Sequence, residues 1–358
     1  MNKFQLGRNW LGPDEPTYFI ADIAANHDGD LSRAKRLIEM CKDAGADAAK
    51  FQNFQAAKIV SKGGFETLGG QIAHQAKWKK SVYEVYQQAE VDIRWSETLK
   101  EHCERVKIAY FTSPYDVEST DLVDPYIDAF KIGSGEITFP EALAHIARKK
   151  KVVFLATGAS TLSEVIEAVR ILKEAGGSDL ALCVMQCNTN YTGSLENFRF
   201  INLNVLKTFA TIFPDVLLGL SDHTPGHATV LGAVALGARV IEKHFTDDNT
   251  REGPDHPFSM NPKTWCEMVD RTRELERALG TTEKKIEENE RDSAIVQRRA
   301  LYLTRPIGKG EVITADALAA LRPAPLGSVT PNQRHLITGM LAPRNFQAGD
   351  CLRWIDWR

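Results

Sequence analysis

This sequence is short of most features that mark a specialised class. It has six cysteines in 358 residues, and no two are spaced Cys-x-x-Cys. That excludes a disulfide framework and a cysteine knuckle, and makes a reducing cytoplasm the expected location. Cys183 and Cys187 fall on one face of an apolar run with no second pair nearby, and read as ordinary buried thiols. No apolar run is long enough to span a bilayer. The opening residues, Met1-Asn2-Lys3-Phe4-Gln5-Leu6-Gly7-Arg8, lack the apolar core of a secretory signal. The formal net charge is only -3, so neither nucleic acid nor an anionic membrane is an expected partner. Low-complexity tracts are absent.

What is present is a regular alternation. Hydrophobic residues make up 43% of the chain, enough for a large core. Strand-like apolar runs occur at 18–24, 46–51, 107–112, 127–132, 152–156, 180–185, 216–220 and 238–241. Amphipathic segments separate most of them, with apolar residues three and four apart, as at Ala34, Leu37, Ile38 and Cys41. Eight β/α units predict a closed (β/α)8 TIM barrel over residues 1–280. The long gap after the second run, residues 53–92, reads as an insertion at the active rim able to act as a lid. A charged linker, 281–298, contains the run from Glu283 to Arg291. Residues 299–358 then read as a small, mostly β domain, too short to be comfortably stable alone.

Strand side chains alternate, so parity sorts each run into two faces. Asp22 shares a face with Ile20, Lys50 and Gln52 share one with Ala48, and Ser113 shares one with Phe111. Lys131 aligns with Ala129, and Glu242 and His244 align with Val240. Polar residues therefore gather at the carboxyl ends of one face, where barrel enzymes keep their chemistry. Lys50 and Lys131 have no carboxylate partner on their own strands. A buried lysine is costly unless it meets an anion, so the pair points to a ligand carrying phosphate or carboxylate. His223 and His244 end consecutive strands and are candidates to share a metal ion or a substrate. Each residue has a plainer reading: a lone Lys or His at a strand end is usually structural. Gly133-Ser134-Gly135-Glu136 alone is a tight turn, or a phosphate-holding one. Tyr191 alone is as readily a packing residue. Asp30 reads as a helix N-cap. It is the convergence from several strands that favours a site.

The ordered motifs resemble those of the sialic acid synthase family, which makes nonulosonic acids. They are Ala21-Asp22-Ile23-Ala24-Ala25-Asn26-His27, Lys50-Phe51-Gln52, Lys131-Ile132-Gly133-Ser134-Gly135-Glu136 and Gly219-Leu220-Ser221-Asp222-His223-Thr224. Glu242-Lys243-His244-Phe245-Thr246 and Gly253-Pro254-Asp255-His256 continue the series. Gly308-Lys309-Gly310-Glu311 and Leu321-Arg322-Pro323 resemble the antifreeze-like (SAF, β-clip) module of the same family. The resemblance implies condensation of phosphoenolpyruvate with the open-chain aldehyde of an acylated amino sugar, releasing phosphate. It implies a divalent metal on His223 and His244, usually manganese, with magnesium and cobalt as alternatives. It implies phosphoenolpyruvate held by Lys50, Lys131, Ser134 and Ser221 beside Ser113 and Tyr191. The sugar would meet Asp22, Gln52, Glu136, Tyr191 and Asp255, with Asp22, Glu136 and Lys131 closest to the chemistry. Arg322 would arrive from the other subunit of a domain-swapped homodimer.

Three departures lie at the rim. Asp22 stands where the family commonly has Glu, and Ala156 where it often has Ser. Asn188-Thr189-Asn190-Tyr191-Thr192-Gly193 replaces the usual Thr/Ser-x-Tyr-Pro. N-acetylmannosamine, a diacetamido trideoxyhexose and a less common aldose all stay open as acceptor. Two rival readings are a Schiff-base aldolase using Lys131, which needs no metal, and a non-catalytic carbohydrate-binding or ice-binding protein.

Overall fold

The computed structural model describes residues 3–68, 71, 75–76 and 78–357. They form two compact units, Met1–Gly280 and Thr281–Arg358. The first opens with a short antiparallel hairpin, β1 (Phe4–Leu6) and β2 (Asn9–Leu11), which the sequence reading did not predict. Its strands have three residues each, too few to show a period. Asn9 Nδ2 donates to Asp47 Oδ1 at 2.7 Å, which ties the hairpin to the amino end of the barrel beside β4.

Eight parallel strands follow: β3 (Tyr18–Asp22), β4 (Ala48–Asn53), β5 (Ala109–Pro114), β6 (Ala129–Ile132), β7 (Val152–Ala156), β8 (Leu182–Cys187), β9 (Leu217–Asp222) and β10 (Val240–His244). They close in the order β10-β3-β4-β5-β6-β7-β8-β9, so the expected TIM barrel is present. Five of them run on past the apolar run that revealed them, as β9 does to Asp222 and β10 to His244. Those added residues are mostly polar. Hydrophobicity marks where a strand is packed, and at the carboxyl rim the inward residues serve the site instead.

Helices cover the outside, and their starts are written locally. Asp30 caps the helix Leu31–Asp43 by accepting from the amides of Ser32 and Arg33. Thr161 and Glu164 form a capping box on Leu162–Gly176. Inside the barrel Phe111 stacks on Phe154 with centroids 5.3 Å apart. Gly219 is demanded by closeness: a Cβ there would lie 2.8 Å from the Val240 carbonyl and 2.9 Å from Met185 Cγ. The insertion after β4 contains the helices Ala56–Ile59, Gly64–Thr67 and Val82–Ala89. Residues 69, 70, 72–74 and 77 of the expected lid lie outside the described residues.

The second unit includes the helix Arg291–Gln297 and an antiparallel pair, β11 (Ala300–Leu303) with β12 (Leu318–Leu321). Isolated bridges such as Ile307 with Phe346 and Val312 with Leu341 add to its β character. Leu301, Leu303, Ile313, Val329, Phe346 and Leu352 are among the residues of its own core. No helix among the described residues is long and apolar enough to cross a membrane.

Candidate active site

The carboxyl rim collects side chains from most of the strands. Asp22 ends β3, Lys50 and Gln52 lie on β4, Ser113 on β5, Lys131 on β6, and Ser221 near the end of β9. Ser134 and Glu136 occupy a 3-10 turn just after β6. His223 follows β9, His244 ends β10, Tyr191 follows β8, and Asp255 lies in the loop after β10. The barrel unit thus brings all of these to one end. Arg322 sits in the second unit, exposed, its Nε donating to the Gln297 carbonyl at 2.6 Å.

A buried charge cluster forms the floor. Lys50 Nζ lies 2.7 Å from Asp22 Oδ2 and 3.6 Å from Glu242 Oε1. Lys131 Nζ lies 3.5 Å from the same Glu242 oxygen. Neither of these carboxylates lies on a lysine's own strand, where none was expected. Their partners come from other strands: Asp22 is the register neighbour of Lys50 across β3 and β4. Burial alone would lower the Lys50 pKa, but Asp22 and Glu242 outweigh it and raise it. Lysine burial is thus partly explained without a ligand. What still points to an anion is that two ammonium groups converge on one carboxylate oxygen. Gln52 Nε2 donates to Asp22 Oδ2 at 3.1 Å, and Lys50 donates to Ser113 Oγ at 3.4 Å.

The two histidines stand together above this floor, with ring centroids 5.4 Å apart. His223 Nδ1 is 2.8 Å from the Asn188 carbonyl. A carbonyl only accepts, so Nδ1 carries the hydrogen and Nε2 keeps its lone pair. His244 Nε2 lies 3.5 Å from Asp22 Oδ2, and its buried Nδ1 has no hydrogen-bond partner. Burial lowers the pKa of both rings, and for His244 the neighbouring His223 adds to it. Both are therefore neutral near pH 7, the form that ligates a metal. Two such donors suit a divalent cation whose other positions are filled by water or substrate. No group of three or more His, Cys, Asp or Glu able to hold a metal occurs among the described residues.

Beside the histidines a pocket of about 130 Å³ is lined by residues including Gln52, Phe54, Tyr86, Tyr115, His244 and Asp255. A cleft of about 730 Å³ shares Ala25, Tyr191 and Pro254 with it and is walled in part by the helix Val82–Ala89. Burial pushes the Asp255 carboxyl up to about 7, against the Ala25 amide that donates to it at 3.1 Å. Burial also raises the pKa of Glu136. Tyr191 packs on His223 at 4.2 Å between centroids and on Phe258 at 5.6 Å.

Some supporting residues escaped the sequence reading. Lys243 and Asp222 precede the histidines, face the helix layer, and form a buried ion pair. Thr224 and Thr229 also donate to Asp222. Their place beside each histidine in sequence was visible, but alternation sent them to the other face. Arg33 donates to Asp247 through two nitrogens, at 2.9 and 2.5 Å, and to the Asn26 carbonyl at 2.8 Å. It ties the loops after β3 and β10 together. No local pattern marks it.

The chain is similar to known proteins over most of its length. The NeuB family profile matches residues 37–284 and the SAF domain profile matches residues 298–356. N,N'-diacetyllegionaminic acid synthase of Campylobacter jejuni is 34% identical over 94% of this chain and 99% of its own length. Pseudaminic acid synthase of the same species is 32% identical over 99% of this chain and 100% of its own. The crystal structure of N-acetylneuraminic acid (sialic acid) synthetase from Leptospira borgpetersenii superposes with TM-score 0.71 and 27% identity. It covers 82% of this chain and 95% of that one.

Proposed function

This chain belongs to the NeuB family and carries a SAF domain, and on that premise we propose that it condenses phosphoenolpyruvate with an open-chain N-acylated amino sugar. The products are a nonulosonic acid and inorganic phosphate. The observation that carries the reading is the convergence of Lys50 and Lys131 on Glu242 beneath two neutral imidazoles. It offers cations for an anionic substrate next to donors for a metal.

The residues divide the work as follows. Lys50 and Lys131 offset the charges of phosphoenolpyruvate, and Ser134, Ser221 and Ser113 offer hydroxyls to its oxygens. Gln52, Tyr191 and Asp255 border the pocket in which the sugar aldehyde sits. C3 of phosphoenolpyruvate attacks the aldehyde carbon, water adds at C2, and the C–O bond to phosphate breaks. Glu136, kept protonatable by burial, and Asp22 give up and take the protons. His223 and His244 would hold a divalent metal, with manganese before magnesium or cobalt, and it would polarise the aldehyde oxygen as a Lewis acid.

The decisive assay is phosphate release from phosphoenolpyruvate with manganese and a panel of acceptors. N-acetylmannosamine and a diacetamido trideoxyhexose head the panel. One of them should release phosphate in step with a new keto acid, and borohydride should trap nothing on Lys131. No release with any acceptor, or a borohydride-trapped substrate, sinks the reading.

The proposal extends to a homodimer in which Arg322 of one subunit completes the sugar site of the other. Mixing inactive Arg322→Ala and Lys131→Met proteins under subunit exchange should restore activity. In a mixed dimer one barrel keeps its Lys131 and receives an intact Arg322. Mixed dimers without recovered activity would end that arrangement.

A further inference from the structure

Cys187 closes β8 at the rim and is buried, with 6% exposure. It is the register partner of Ser221 on β9. The hydroxyls of both Ser134 and Ser221, the two serines proposed to hold phosphoenolpyruvate, lie near enough to its sulfur to lower the thiol's pKa. A second observation places Ser134 beside the sulfur. A Cβ built on Gly158 would lie 2.9 Å from Ser134 Oγ and 3.1 Å from Cys187 Sγ. The Gly158 amide already donates to Ser134 Oγ at 2.9 Å. Burial raises the thiol's pKa against the pull of the two hydroxyls and of Lys131, so the group stays neutral.

We infer that Cys187 is a positioning residue of the phosphoenolpyruvate pocket. This rests on the condensation reading above. The sulfur acts through its two neighbours. Ser134 uses one lone pair for the Gly158 amide, and Ser221 faces Cys187 across the strands. A serine hydroxyl without a partner turns freely and must be ordered when an anion arrives. The sulfur holds both hydroxyls in orientation beforehand. It does so weakly, because sulfur is a poor acceptor, so an anion's oxygens readily displace it. Neutrality matters equally: a negative group here would repel the substrate that Lys131 attracts.

The test is calorimetry with phosphoenolpyruvate, paired with steady-state kinetics. Cys187→Ala should weaken phosphoenolpyruvate binding by about three- to tenfold, the scale of ordering one to two side chains. It should raise the KM for phosphoenolpyruvate while leaving kcat and the acceptor KM unchanged. Cys187→Ser restores a partner for both hydroxyls and should return binding to within about twofold of the parent, and Cys187→Asp should abolish it. Melting temperatures separate a misfolded variant from a folded one, and Cys187→Ser supplies the reading if Cys187→Ala unfolds. A folded Cys187→Ala protein with unchanged affinity, or equal losses for phosphoenolpyruvate and acceptor, overturns the role. A parent protein that binds no phosphoenolpyruvate overturns the condensation reading and this inference with it.

Discussion

Lys131→Met should lower phosphoenolpyruvate affinity by about a hundredfold or more while changing acceptor affinity little. Truncating one member of a desolvated, hydrogen-bonded charge pair costs on the order of 2–5 kcal/mol. The structure favours Lys131 over Lys50 for this test. Removing Lys131 leaves Glu242 with Lys50 at 3.6 Å, so no carboxylate is stranded. Removing Lys50 would leave Asp22, held at 2.7 Å, without its ammonium partner, and the fold would suffer with the function. Methionine keeps the side-chain stem and drops the charge. Titration of phosphoenolpyruvate into the folded variant gives the answer directly. An affinity equal to that of the parent would remove Lys131 from the anion pocket.

The second large effect concerns the histidines. A chelator should abolish turnover, and added manganese should restore it. His223→Ala and His244→Ala should each weaken manganese binding by more than about a hundredfold. Loss of a mere outer-shell partner already costs about 10–100-fold, and these are proposed as ligands themselves. The structure adds a finer expectation. His223 is oriented by a backbone carbonyl, which no side-chain substitution removes. The ring packing of Tyr191 and Phe258 should therefore matter less to the metal than either imidazole. Metal affinity is read by calorimetry, independently of turnover. Full activity in excess chelator, with both alanine variants still active, would refute a metal role.

The barrel was legible because its signal is periodic and repeated. Eight apolar runs separated by amphipathic helices admit few other folds, and each run overlaps a barrel strand. Parity then placed Asp22, Lys50, Gln52, Lys131, Glu242 and His244 on the inward face without any coordinates. The β1–β2 hairpin was not legible, since three-residue strands carry no period. Nor was Arg33, whose ion-pair partner Asp247 is brought to it by the closing of β10 against β3.

The amino-acid sequence by itself determined the alternation, the inward face and the list of chemical groups at the rim, because all three depend on local spacing. Tertiary structure alone decided which of those groups touch. Lys50 appeared free along its own strand, yet barrel closure sets it against Asp22 from one neighbour and Glu242 from beyond it. Cys187 read as an ordinary buried thiol until the β8–β9 register set it opposite Ser221. Charge pairing and hydrogen bonding fall off within a few ångströms, so they depend on register and closure, which no single strand encodes.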